Sequence, residues 1–232
     1  MFKNWNWFER SLLAINIVLS TYFLVSASTY DWLSWLGFIA SITNTICVIL
    51  TAKKKVINFL FGVIGVICYT ILAFAYANTG EWMLNLFYYM PMNIIAWVKW
   101  YRHSSDKVNI VSKAMTWKQI LITSAIGAVA VVAYAWFISL PELQLFFYKE
   151  LTGFTFQKYL IDSFNVVGSI IGMIILVKQY REQWILWIAV DIMTIILWII
   201  TFDPIMIVMW STMLINAVYG YIKWLKVEKA YV

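Results

Sequence analysis

The chain has 232 residues, 63% of them hydrophobic and only 12% charged. A soluble domain carries about 25% charged residues, so this one has too few to cover a water-facing surface. The net charge of +6 is spread as short basic clusters between apolar runs, which excludes a nucleic-acid patch and fits a multi-pass membrane topology.

At roughly 20 apolar residues per crossing, the runs predict seven or eight transmembrane helices. They fall at about 8–28, 32–52, 56–78, 82–101, 117–140, 158–178, 182–202 and 204–225. The first has no small-residue cleavage site before it and is expected to remain attached. Its Asn16, Ser20 and Ser26 leave open an interfacial helix instead of a span. Cys47 and Cys68 lie inside apolar runs, so neither a metal site nor a disulfide is expected. Pro91 falls within the fourth run and predicts a kink. Pro204 follows Asp203 and suits the first turn of the last helix, where a missing N–H is harmless.

Sidedness follows from the basic residues. All of the 17 except Lys149 and Lys158 fall on one side: Lys3 and Arg10, then Lys53, Lys54 and Lys55, those from Lys99 to Lys118, Lys178 and Arg181, and those from Lys223 onward. That side is expected to be cytoplasmic, with both termini inside.

A repeat is also visible. The fourth run ends Ala96-Trp97-Val98-Lys99-Trp100-Tyr101 and the eighth ends Gly220-Tyr221-Ile222-Lys223-Trp224-Leu225. Superposing them also aligns Thr70 with Thr194 and Gly80 with Pro204. The expected organisation is an extra N-terminal helix (1–31), a first three-helix bundle (32–101), a linker helix with flanking loops (102–157) and a second three-helix bundle (158–232). A single linker crossing gives the two bundles the same orientation, as in carriers built from parallel repeats.

Helical spacing gathers the polar residues into stripes. Trp184, Trp187, Asp191, Thr194 and Trp198 follow one face of the seventh run, and Asp162, Asn165, Ser169 and Gly172 one face of the sixth. Asn44 lies in the second, Asn85, Tyr88, Tyr89 and Asn93 in the fourth, and Asn216, Tyr219 and Lys223 in the eighth. An ionisable residue at a helix centre costs about 2.5–3.5 kcal/mol on insertion scales, which makes Asp191 a functional candidate. Tryptophan faces near a carboxylate suit a flat, cationic small molecule. With a neutral cargo, Asp191 is instead protonated or paired with Lys223.

Most other tryptophans, including Trp5, Trp7, Trp32, Trp35, Trp82, Trp97, Trp100, Trp117 and Trp224, read as an interfacial belt. Gly62, Gly65, Gly168 and Gly172 read as close-packing positions, and His103 as a solvated loop residue. Enzyme signatures are missing: there is no P-loop, HExxH, GxSxG or cysteine–histidine pair. A secondary carrier or facilitator is therefore favoured over a membrane enzyme, and no cofactor is expected.

The segment Ile161-Asp162-Ser163-Phe164, the loop Val177-Lys178-Gln179-Tyr180-Arg181-Glu182, and Gln183-Trp184-Ile185-Leu186-Trp187 resemble the WDS-type segment, basic loop and WxxW motif of the PnuC family of bacterial vitamin transporters. Asn93 to Trp100 and the region of Phe61-Gly62 are further matches. The resemblance covers about Ser34 to Trp224 and leaves the N-terminal run outside.

It implies two three-helix bundles with SWEET-like symmetry, a homotrimer in the bacterial inner membrane, and import of nicotinamide riboside by facilitated diffusion. Phosphorylation by a cytoplasmic kinase would trap the vitamin. Trp184 and Trp187 would stack on the pyridine ring, with nearby amides binding the carboxamide and ribose. The substrate-binding set so expected is Trp184, Trp187, Asp191, Asn216, Asn85, Tyr88, Asn44, Asn93, Asp162 and Asn165. The chain departs from the family at Asp191 (asparagine is common), Asn85 (glutamine), Ala96 (glycine) and Ile161 (tryptophan). Alternatives are a thiamine or riboflavin carrier of the same family, a SWEET-like sugar facilitator, or a membrane enzyme.

Overall fold

The computed structural model describes residues 5–26, 31–76, 79–104, 106–148, 155–201 and 204–228. Lys3, Lys149, Asp203 and Lys229, and the side chains of Trp198 and Lys226, lie outside the described residues. The described residues are helical apart from short connections. The helices are α1 (Trp7–Ser26), α2 (Trp32–Ala52), α3 (Asn58–Ala75), α4 (Thr79–Met83), α5 (Met90–His103), α6 (Trp117–Ile138), α7 (Pro141–Tyr148), α8 (Phe156–Val177), α9 (Gln183–Thr201) and α10 (Pro204–Glu228). Six of them, α1, α2, α3, α6, α8 and α10, are long and apolar enough to cross a membrane, and α9 contributes a shorter apolar stretch, Gln183–Ile196.

The predicted fourth span is one helix interrupted by a π-helical turn, Leu84–Tyr89, joining α4 to α5. Pro91 supplies the cause. Its ring would collide with the carbonyl four residues earlier, and a wider turn relieves that contact. The Met90 N–H accordingly reaches back to the Asn85 carbonyl. α10 begins on Pro204, as its position predicts. The helix α7 was not anticipated; Pro141 opens it and Glu142 sits in its first turn.

The packing forms a ring. α2 packs on α3, α3 on α5, α5 on α8, α8 on α9, α9 on α10, and α10 back on α2. α6 lies outside this ring against α8, and α1 lies outside it against α2 and α10. α1 is held there by its polar stripe. Asn16 Nδ2 donates to Ser41 Oγ at 3.1 Å and to Thr212 Oγ1 at 3.3 Å, and Ser20 meets Ser41 at 3.2 Å. Such bonds between membrane helices average about 0.6 kcal/mol each, enough together to seat a helix. At its N-terminal end Glu9 is fully buried; it accepts from Lys53 at 2.6 Å, Tyr219 at 2.8 Å and Lys223 at 2.9 Å. The expected pairing of Lys223 with Asp191 is therefore corrected: Lys223 neutralises Glu9.

The basic end of the ring is closed by aromatic rings and by the connection 106–116. The turn after α2 and the turn after α8 have the same form. Lys54 and Gln179 sit in the left-handed region (φ 59° and 68°), Lys55 N–H donates to Leu50 O, and Tyr180 N–H donates to Ile175 O. This is the Schellman closure of a helix, made without glycine.

The connection 106–116 bonds to the first turn through Val56 N–H to Val108 O and Ile110 N–H to Lys54 O. It bonds to the second through Lys113 N–H to Gln179 O and Arg181 N–H to Lys113 O. Asp106 shapes the connection: it accepts from the Asn109 and Val108 N–H groups and from Ser104, which hold its carboxyl well below the usual carboxylate range.

Above the connection, Trp100 Nε1 donates to Leu176 O at 3.3 Å and Trp224 Nε1 donates to Ala52 O at 3.2 Å. Both indoles are fully buried, which corrects their reading as belt residues; Trp117, 70% exposed, keeps that reading. Replacing Trp100 with Phe keeps an aromatic ring but removes the bond that ties α5 to the end of α8, leaving the Leu176 carbonyl with only the Gln179 N–H. It is expected to destabilise the protein by about 0.5–1.5 kcal/mol, read as a lower thermal midpoint in detergent, whereas Trp117→Phe leaves the midpoint unchanged.

Candidate functional site

The ring encloses a chamber of about 190 Å³. Its lining runs from Asn58 and Gln183, in the first turns of α3 and α9 at the basic end, to Glu81 in the first turn of α4 at the other. Of the predicted stripe on α9, Trp184, Trp187, Asp191 and Thr194 all line it. Asn44 from α2, Asn85 from the π turn, Asn93 from α5 and Asn165 from α8 join them. Seven of the ten expected substrate-binding residues thus meet in one space.

The other three do not line it. Asn216 is fully buried and donates to Val48 O at 2.9 Å, fastening α10 to α2. Tyr88 Oη donates to Ile170 O at 2.7 Å, fastening the π turn to α8. Asp162 accepts from Tyr148 Oη at 2.8 Å and so ties α8 to α7. Each points from its helix towards a neighbouring helix instead of the centre, which spacing along a single helix does not reveal.

Within the chamber the polar groups differ in how far they are already engaged. Asn85 and Asn93 donate through Nδ2 to the carbonyls of Glu81 and Tyr89, both at 2.8 Å. Their amide oxygens are left as acceptors. Asp191 is 2% exposed, and its carboxylate has no hydrogen bond or ion pair among the described residues. Asn165 Oδ1, Trp184 Nε1 and both ends of the Gln183 amide are also buried without a partner. Buried polar groups in a folded protein are nearly always hydrogen-bonded, so a cluster of unpaired ones makes this chamber the candidate site. Gln183, Glu81, Tyr89 and Ser169 were not among the expected site residues. Gln183 directly follows Arg181-Glu182 and reads in sequence as part of a polar loop.

Glycines position the site. A Cβ on Gly65 would fall on the Asn44 amide, and one on Gly62 would come within 2.6 Å of Asn93 Oδ1. One on Gly172 would lie 3.3 Å from the Trp187 ring, and one on Gly220 only 2.7 Å from that of Trp184. The packing role expected for Gly62, Gly65 and Gly172 is thus specific: each leaves room for a chamber side chain. The Trp184 ring is also set edge-on against Trp224, with centroids 5.7 Å apart and planes at 87°. It forms the chamber floor and does not stand free in the cavity.

Membrane-length helices around a chamber of amides, indoles and a carboxylate define a multi-pass membrane protein with a candidate site inside it. The chain belongs to the nicotinamide mononucleotide transporter family, whose model matches residues 34–226. It is a membrane transporter, not an enzyme. The nicotinamide riboside transporter PnuC of Neisseria mucosa is 30% identical over 99% of this chain and 85% of its own length. That of Haemophilus influenzae is 29% identical over 98% of this chain and 93% of its own. That of Escherichia coli is 26% identical over 75% and 77%. A crystal structure of the vitamin B3 transporter PnuC superposes with a TM-score of 0.80 at 29% identity, covering 100% of this chain and 96% of that one. The resemblance read from the motifs therefore holds. The N-terminal run, expected to fall outside it, is included in the match to the first two relatives and to the solved structure.

Gly220→Ala is expected to push Trp184 out of its seat and lower the thermal midpoint, at a cost of about 1–3 kcal/mol. Gly80→Ala, whose Cβ would lie 3.9 Å from Phe147, should hold or raise the midpoint.

Proposed function

We propose that this transporter carries nicotinamide riboside inward by facilitated diffusion, with a cytoplasmic kinase trapping the vitamin by phosphorylation. The observation that carries the cargo assignment is Asp191: a carboxylate buried in the chamber, with no protein partner among the described residues. Burying a charge unpaired is costly, and a cationic pyridinium held against Trp187 would compensate it. The family model is named for the mononucleotide, whereas the curated relatives are named for the riboside. The chamber favours the riboside. Its lining includes Glu81 and Asp191 but no lysine or arginine among the described residues, so a phosphate would meet acids and no counter-charge.

The architecture is read as eight crossings, with the broken α4–α5 helix and α9 counted as spans. α1 is an extra helix (1–31), and two parallel three-helix bundles (32–101 and 158–232) flank a linker (102–157) that includes α6. Matching features of the two halves support this SWEET-like repeat. The turns pair Lys54 with Gln179 and Asn58 with Gln183, in the same hydrogen-bond pattern. Phe59 meets Trp100 edge-on at 4.8 Å as Trp184 meets Trp224 at 5.7 Å. Each terminal indole caps the opposite half's first helix. The first half is one residue longer between these landmarks, the length a π turn inserts. The basic end faces the cytoplasm, by the distribution of lysine and arginine. Residence in the bacterial inner membrane and assembly as a homotrimer complete the proposal.

Rocking of one bundle against the other about the chamber would move the cargo. Asp191→Asn should weaken binding of cationic nicotinamide riboside by roughly tenfold or more, measured by calorimetry, and change little for the neutral dihydro form. Equal losses for both forms would sink the charge pairing. Uptake of labelled nicotinamide riboside in cells should stop at equilibrium when the matching kinase is deleted; continued accumulation would reject trapping.

A further inference from the structure

Gln183 opens α9 at the basic end of the chamber, and its side chain is completely buried. Neither Nε2 nor Oε1 has a hydrogen-bond partner among the described residues. Leaving such a group unpaired is unfavourable, so the amide is retained against a cost. Its counterpart in the first half is Asn58, which also opens its helix, is also buried and also lines the chamber. There the amide is engaged: Asn58 Nδ2 donates to Lys55 O at 2.6 Å. The equivalent amide of the second half makes no such bond.

Next to Gln183, Trp184 Nε1 is a second buried donor without a partner. Together they offer an amide acceptor, an amide donor and an indole donor at one end of the chamber. Along α9 the order is then Gln183, Trp187, Asp191, spanning about 12 Å of helix at 1.5 Å per residue. A hydrogen-bonding amide, an aromatic face and a carboxylate thus line one side of the chamber in sequence.

We infer that Gln183 reads a primary carboxamide on the aromatic ring of the cargo, its Nε2 donating to the cargo carbonyl and its Oε1 accepting from the cargo NH2. The inference rests on the nicotinamide riboside reading and assigns the end of the molecule which Asp191 does not. A carboxylate in place of the carboxamide would set an acceptor oxygen against Oε1, where the NH2 donor stood, and lose one of the two bonds. Gln183 is on this account the residue that separates the amide form of the vitamin from its acid form.

The test uses the full chain in detergent, titrated by calorimetry with nicotinamide riboside and with nicotinic acid riboside. Alongside, the thermal midpoint is measured without ligand. The parent should prefer the amide. Gln183→Leu should weaken amide binding by about 10- to 100-fold and erase the preference over the acid. Its ligand-free midpoint should equal or exceed that of the parent, because an apolar side chain replaces an unpaired polar one. Gln183→Asn, which retains the amide one methylene shorter, should recover part of the affinity. Parent-like binding by Gln183→Leu, or a binding loss matched by a lowered midpoint, overturns the assignment and leaves the cargo reading standing. If the parent binds neither riboside, the cargo reading falls and this inference falls with it.

Discussion

Two indole N–H groups hold the basic end of the ring together. Trp100 donates to a carbonyl at the end of α8, and Trp224 to a carbonyl at the end of α2. Helix-terminal carbonyls lack partners within their own helix and need others from elsewhere. Here Ala52 finds its partner across the ring, and Leu176 gains one there besides its own Gln179 N–H, so each side ties down the other's helix end. Phe59 and Trp184 pack edge-on against these indoles, and the connection 106–116 bonds to both adjoining turns from outside. The chamber floor is a consequence: Trp184 is held between Trp224 and Gly220 before any cargo arrives. Preorganised aromatic surface of this kind binds with less loss of side-chain freedom than a mobile ring would.

Above the floor the constraint is the low polarity of the surroundings. Amides whose donors are tied to their own helix, as in Asn85 and Asn93, present only acceptor oxygens to the chamber. Gly62 leaves room for the Asn93 amide and Gly65 for that of Asn44. The shape of the chamber therefore depends on residues with no polar atoms as much as on the amides themselves. The π turn belongs to the same arrangement, since it places Asn85 and Tyr89 on the chamber side of a helix that Pro91 would otherwise simply bend.

Much of this was legible in the sequence because a transmembrane helix displays its faces at a fixed angle per residue. The α9 stripe identified four chamber residues, and the asparagines of α2, the π turn, α5 and α8 followed by the same logic. What spacing along one helix does not show is equally specific. Asn216, Tyr88 and Asp162 satisfy the same spacing but meet a neighbouring backbone or Tyr148, and the angle along one helix does not say what stands opposite. Trp100 and Trp224 sit beside basic residues, the usual setting of belt tryptophans, yet inter-helix packing buries them. Gln183 was hidden for the reverse reason: its charged neighbours made it look solvated, and only the closure of the ring withdraws it from water. The π turn had a visible cause in Pro91, but proline alone does not distinguish a wide turn from a bend.

The polar attachment of α1 has a consequence for assembly. Chains are made from the N-terminus, so Glu9, Asn16 and Ser20 reach the bilayer before their partners exist. Lys53 and Ser41 arrive with α2, but Thr212, Tyr219, Lys223 and the capping Trp224 all arrive with α10, the last described helix. A nascent chain arrested before α10 would keep a half-neutralised carboxylate on α1 and an uncapped end on α2. Completion of the bundle is thus recorded in one helix, and those exposed polar groups are what a membrane quality-control protease would find on an unfinished chain.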